Sequence, residues 1–384
     1  MKRYWIPLAG IALGTAVWAA SGYSFNINGR ASALGTTEKN GVVYVDAIAF
    51  AKSLGATVRF DKAKRAFTIT TPKAAPLQDV AGTAQLAGGD GVLGKTYSLG
   101  QDSPLNFTLI SVEYRVAPLT VGNNVLFPKD TEKLFVLHFT AQNPQKRDVD
   151  VNWTAFKFTA VDKIDVNQPF NGEIIREGSS VVYGESLKPA QKVSLMAAWP
   201  VPAAGPIPKL IVGRQDGPVL RYDLRDKAKV PGVFADPVDA TGSTALAVAP
   251  GVIGTGYSVG PFQATVQSAG FSTDVMNSRK PDKGKKYFVA TIELKYAVDK
   301  SARPISYNWA TLKYELLTSE GDRVNFSGNL LKPNRDAHAE GDLLPGDEAV
   351  YRVYFPIDEV VGVKALRLQN GSSHSVSIDL SSVK

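Results

Sequence analysis

Hydrophobic and polar positions alternate with period two over much of the chain. In KLFVLHFTAQN (133–143), Leu134, Val136, His138 and Thr140 fall on one face and Phe135, Leu137 and Phe139 on the other, the pattern of a β-strand. KYFVATIELKY (286–296) and EAVYRVYFPI (348–357) repeat it. From residue 91 onward such runs recur at short intervals, broken by Gly, Pro, Asn and Asp, with no helical stripe of useful length. The pattern predicts a mainly β protein built from antiparallel β-sandwiches.

The runs occur in two sets that answer each other. GVLGKTYSLG (91–100) matches GVIGTGYSVG (251–260) at six of ten positions. NWTAFKF (152–158) answers NWATLKY (308–314), LKPAQKVSLMAAWPVP (187–202) answers LLPGDEAVYRVYFPID (343–358), and LRYDL (220–224) answers VSIDL (376–380). The last three pairs keep one offset of 156 residues, whereas the first sits at 160, so a duplication with a small insertion or deletion accounts for them. We therefore expect two tandem immunoglobulin-like sandwiches at 91–225 and 251–384. The Pro-, Ala- and Gly-rich stretches 72–90 and 226–250 read as linkers or covering segments. GGDG (88–91) reads as a loop without phosphate-binding context. Tyr97 and Tyr257 are expected to pin the first strands. Trp153 and Trp309, being equivalent, are expected in the two cores along with Tyr351, Tyr354 and Phe355. The order of an NW strand, an L-x-P-A/G turn and a strand ending in an aromatic-Pro step resembles the immunoglobulin-like domains of exported bacterial proteins, the immunoprotective extracellular antigens among them. That resemblance implies a fold and no activity.

Residues 25–71 form a separate small α+β pattern. FNINGR and NGVVYV offer strands at Asn-Gly turns. Asp46 is placed to cap a short helix with Ala47, Ile48, Ala51 and Leu54 on one face, and Gly55 suits its stop. ATVRFD and AFTITT read as a hairpin with Val58, Phe60, Phe67 and Ile69 inward. Tyr44-Val45, Ala51, Leu54-Gly55-Ala56, Val58, Phe60-Asp61 and Thr68-Ile69 resemble the copper amine oxidase N-terminal-like domain. In the oxidases that domain is peripheral to catalysis, so the resemblance implies an attachment module and carries over no copper ligand.

Composition narrows the setting. Lys2 and Arg3 precede an apolar run that ends in small residues, the form of a secretory signal, with cleavage expected after Ala19 or Ala20. A retained membrane anchor is the alternative, and export to the periplasm or cell surface follows either way. The chain has no cysteine, which removes disulfides, thiolate nucleophiles, iron–sulfur clusters and blue-copper ligands. The net charge of +7 is dispersed and gives no nucleic-acid footprint.

Catalytic motifs are equally sparse. No G-x-S-x-G, H-E-x-x-H or G-x-x-x-x-G-K-S/T pattern occurs. DVDVNW (148–153) lacks the later acidic ligand of a calcium loop. The three histidines are His138 on a strand, His338 in the polar loop NRDAHAEGD and His374 in NGSSHSVS. These three are the candidate metal ligands of an alternative reading, a copper protein with superoxide-dismutase-like activity on a sandwich. The leading expectation is a non-enzymatic envelope protein without cofactor, peripheral to the membrane. It would dock in a cell-surface assembly, such as an S-layer or outer-membrane complex, with cell-wall glycan as a further partner.

Overall fold

The computed structural model describes residues 35–40, 42–53, 56–61, 66–70, 87–215, 217–326 and 328–383. It also describes the backbone of three short strands, Trp5–Pro7, Phe25–Ile27 and Arg30–Ser32. The chain forms two compact units, Met1–Gln85 and Leu86–Lys384.

In the first unit, strands Thr36–Lys39 and Val42–Asp46 pair antiparallel, helix Ala47–Ser53 follows, and Thr57–Asp61 pairs with Ala66–Thr70. One Asp46 carboxylate oxygen accepts from the amides of Ile48 (2.9 Å) and Ala49 (3.1 Å), satisfying amides that a helix N-terminus leaves free. Ala47 and Ala51 are buried, but Ile48 is 37% exposed, so the buried face is narrower than the spacing predicts. Leu54, Gly55 and the side chains of Phe60, Phe67 and Ile69 lie outside the described residues, as does most of 1–24. Within the expected signal stretch, Trp5–Pro7 pairs with Tyr44–Asp46.

The second unit contains two β-sandwiches. In the first, a sheet of Ile174–Arg176, Lys192–Pro202, Glu132–Gln142, Leu105–Arg115 and Thr96–Leu99 faces one of Asn167–Pro169, Lys157–Val161, Lys209–Gly213, Val219–Asp223 and Gly88–Gly91. Between them Phe107, Phe139, Phe156 and Phe158 meet with ring centroids 5.1–6.0 Å apart. In the second, Gly256–Val259, Phe262–Ser272, Lys285–Lys295 and Glu348–Asp358 face Val248–Gly251, Ser375–Asp379, Val363–Gln369, Lys313–Thr318 and Arg323–Asn325. Tyr351 and Phe355 are fully buried there, while Tyr354 is half-buried. The protein is thus mainly β.

Two details depart from the expectations, and a third decides between two of them. Each sandwich carries one parallel pair, in which its opening strand runs alongside its last: Gly88–Gly91 with Val219–Tyr222, and Val248–Gly251 with Ser375–Ile378. GGDG is therefore a strand and not a loop. Its glycine serves close approach: a Cβ on Gly91 would sit 2.5 Å from the Tyr222 ring, and one on Gly251 2.6 Å from Val376. Of the two readings of residues 226–250, linker or covering segment, the second describes them. Ala228, Val230, Phe234, Ala245 and Ala249 are buried in the first sandwich's core, which a stretch without period two does not announce.

Candidate functional site

The two sandwiches are joined by polar bonds at two points. At the first, the hairpin of Leu119–Val121 and Asn124–Leu126 meets a loop of the second sandwich. The Asp299 amide donates to Thr120 Oγ1 (3.0 Å), Ser180 Oγ donates to Asp299 Oδ1 (2.9 Å), and Ser301 Oγ donates to the Gly122 carbonyl (3.0 Å). The Gly122 amide in turn donates to Ser180 O (2.6 Å), fixing the hairpin tip. Hydrogen bonds from the Ser301 amide and from Ser180 hold the Asp299 carboxyl below its usual pKa. Thr120 and Ser180 are buried, so these bonds are shielded from competing water.

At the second point, Lys129 bridges Ser373 and the Asp130 amide donates to Ser372 O (2.8 Å). His374, 2% exposed, places Nδ1 2.6 Å from Leu246 O and Nε2 2.5 Å from Glu132 O, with Phe234 edge-on at 5.7 Å. With a carbonyl at each nitrogen, the ring spends its hydrogen-bonding capacity on holding the sandwiches together.

Next to the first point lies a cleft of about 860 Å³ lined by the first sandwich, with Ser301 and Arg303 of the second at its edge. Trp199, Pro200, Val121, Val125 and Val182 are among its apolar lining residues, and Glu173, Ser301 and Arg303 among the polar ones. Trp199 is itself buried, packed 5.1 Å from Phe135 with its indole N–H donated to Gln168 O (3.1 Å). Apolar and polar side chains together make up its lining, the composition of a ligand-binding cleft.

The histidines named from sequence stand apart in three environments. His138 Nδ1 lies 3.0 Å from Glu177 and Nε2 3.8 Å from Glu113; Glu113, with Glu177, raises the pKa of the ring against the opposing effect of burial. His338 is exposed with Nε2 3.0 Å from Asn277 Oδ1. His374 is spent at the junction. Among the described residues, no group of three or more His, Asp or Glu is assembled to hold a metal ion, and the structure does not bring His138, His338 and His374 together.

The expected core position of Trp153 and Trp309 is overturned: they are 52% and 58% exposed. Strands Val149–Val151 and Ile305–Tyr307 end just before them, and each indole sits in an Asx turn. Asn152 Oδ1 accepts the Thr154 amide and Asn308 Oδ1 the Ala310 amide, both at 2.9 Å. Three residues before each tryptophan, the same cross-strand pair occurs with its members exchanged. Ser186 Oγ donates to Asp150 in the first copy, and Ser306 Oγ donates to Asp342 (2.5 Å) in the second. Sequence held the signal for the turn, Asn followed two or three residues on by Thr, but an aromatic-means-core rule outweighed it. The junction hydroxyls of Thr120, Ser180 and Ser301 carried no signal in one sequence.

No protein-family model matches the chain, and no curated protein matches it. Among solved structures, an uncharacterized beta-sandwich protein from Clostridium difficile is similar at 13% identity and a TM-score of 0.27, over 36% of this chain and 96% of its own. A secreted protein from Mycobacterium tuberculosis is similar at 15% identity and 0.26, over 34% and 95%. The yjhA protein from Bacillus subtilis is similar at 17% identity and 0.25, over 35% and 99%. The sandwich assignment itself rests on the strand pairing described above.

Proposed function

We propose that this is a non-catalytic exported protein of the cell envelope, acting as a docking subunit in a surface assembly such as an S-layer or outer-membrane complex. One observation carries the reading: the two sandwiches are bonded to each other beside a cleft that the first sandwich lines and that Ser301 and Arg303 of the second edge. A fused pair presents a preformed surface, so a partner binds without first ordering two mobile domains. The basic, apolar N-terminal stretch supports export. No helix among the described residues is long and apolar enough to cross a membrane.

The test is crosslinking in intact cells followed by recovery from solubilised envelope. A specific neighbour should be recovered, and its yield should fall when Val182, 39% exposed on the cleft wall, is replaced by Glu. Recovery of a free monomer with no neighbour would overturn the reading.

A further inference from the structure

Several equivalent aromatic positions of the two sandwiches have diverged although they are buried. Trp199 answers Phe355, Phe158 answers Tyr314, Phe156 answers Leu312 and Phe139 answers Ile292, while Phe135 and Phe288 have stayed alike. Core sites accept such exchanges provided volume and polarity are roughly kept. Trp153 and Trp309 are the opposite case. They are more than half exposed, contribute little to either core, and have nonetheless stayed tryptophan in both copies. Packing does not explain that identity; contact with something outside the chain does.

The local geometry describes what the contact requires. Each indole is carried on a short turn closed by two bonds. The Asn side chain takes the amide two residues on, and its carbonyl takes the next, from Ala155 (2.9 Å) and from Thr311 (3.0 Å). The aromatic face is therefore presented without a large ordering cost. Around it the chain is polar: Asn152, Thr154 and the Asp150–Ser186 pair in one copy, Asn308 and the Ser306–Asp342 pair in the other. Asp150, Ser186, Ser306 and Asp342 are all exposed.

We infer that Trp153 and Trp309 are equivalent stacking platforms for a polysaccharide of the envelope. An indole face packs against the C–H face of a pyranose ring, and nearby carboxylate and hydroxyl groups accept and donate to sugar hydroxyls. Two equivalent platforms in one compact unit match a ligand that itself repeats. A lipid surface fits less well, since exposed Asp148 and Asp150 beside Trp153 would face anionic headgroups. A protein hot spot would set the indole among apolar groups, whereas the exposed residues on either side of Trp153, Asn152 and Thr154, are polar. The inference is independent of the docking cleft, so either can fail alone.

The experiment uses the full chain and two probes, purified peptidoglycan sacculi by co-sedimentation and soluble chito-oligosaccharides of increasing length by titration. Wild type should pellet with sacculi and bind longer oligosaccharides progressively more tightly. Trp153→Ala and Trp309→Ala should each weaken sacculus binding about tenfold and the double variant about a hundredfold or more. Trp→Phe at each site should restore part of the loss. Because both side chains are exposed, thermal unfolding of these variants should match wild type. The inference is overturned if wild type binds neither probe, or if the double variant pellets undiminished. It is equally overturned if tryptophan-dependent binding is seen only with phosphatidylglycerol vesicles or with an envelope protein.

Discussion

The two sandwiches agree in their backbone irregularities and disagree in what fills and covers them. Both carry a bulge in the same strand, between Leu109 and Ser111 and between Val266 and Ser268. Both pin the opening strand with a tyrosine hydroxyl that accepts a backbone amide five residues back, Val92 to Tyr97 and Val252 to Tyr257, at 2.9 Å in each. Both place a lysine over the aromatic ring of a neighbouring strand: Lys133 over Tyr114 at 4.0 Å and Lys286 over Phe271 at 3.9 Å. Bulges and pinned turns determine which side chains face inward, so they persist while the residues they position drift. The copies diverge where one of them is covered by further chain.

Lysine gives the sharpest contrast. Lys133 is completely buried, because the 226–247 segment closes over it; its ammonium donates to the carbonyls of Gly205 (2.5 Å), Ala203 (3.3 Å) and Ser243. Burial pushes its pKa down to about 7. Lys286, half-buried, lacks that lid. Replacing Lys133 by Met orphans three carbonyls while sparing the cost of burying a charge. We expect a net loss of about 3 kcal/mol in urea unfolding, against under about 1 kcal/mol for Lys286→Met. Equal losses would mean that the covering segment contributes nothing specific.

The junction should be the next most sensitive point. His374→Ala removes the ring that lies between Glu132 O and Leu246 O and opens space beside Phe234. A loss of about 2–3 kcal/mol is expected. It should appear in calorimetry as separation of one transition into two, as the sandwiches begin to unfold independently. A single transition that merely shifts would show that the contact between Thr120, Ser180, Asp299 and Ser301 suffices to couple them.

What could be foreseen from sequence follows the same division. The period-two runs, the offset of 156 and the capping Asp46 were readable because each is a local rule with a fixed spacing. Trp153 and Trp309 were misjudged because hydrophobicity gives no information on which side of a strand end a residue emerges. The strand Gly88–Gly91 was hidden because its pairing comes from the distant Val219–Asp223. The role of His374 was hidden because its partners, Glu132 and Leu246, lie 242 and 128 residues away in sequence.

The turn after Leu187 and Leu343 offers a smaller test. Ala190 and Gly346, equivalent residues, both adopt left-handed backbone, with φ of 62° and 91°. A Cβ is strained there, whereas glycine is not. Gly346→Ala should cost about 1 kcal/mol, with nothing within 4 Å of the new Cβ to add a clash. Ala190→Gly should gain only a few tenths of a kcal/mol, because relief of strain is offset by a freer unfolded chain. Opposite signs for the two swaps, measured by chemical denaturation, are the expected result; the same sign would mean that the two turns are not equivalent.

The smallest effect separates the copies by pH. In the first sandwich His138 stands between Glu177 and Glu113; in the second the corresponding positions are Thr291, Pro333 and Gly270, which do not titrate. The carboxylate of Glu113, then that of Glu177, raises the pKa of His138 above 6.5, opposed by burial. The Glu113 carboxyl is lowered below 4.5, chiefly by His138, with Arg115 assisting and burial opposing. A raised histidine contributes stability that is complete below about 6.5 and lost as pH climbs through its folded pKa. A lowered carboxylate contributes stability that is present above 4.5 and lost as pH falls through its own. The two statements describe one interaction, largest between about pH 4.5 and 6.5. Since Glu177 and Glu113 are 39% and 48% exposed, solvent screening limits it to about 0.5 kcal/mol. The stability difference between wild type and His138→Gln should therefore peak in that window and shrink on either side, and the imidazole should titrate above 6.5 by NMR. A difference that grows toward pH 8 would place the charge elsewhere, and the asymmetry between the sandwiches would then be one of covering alone.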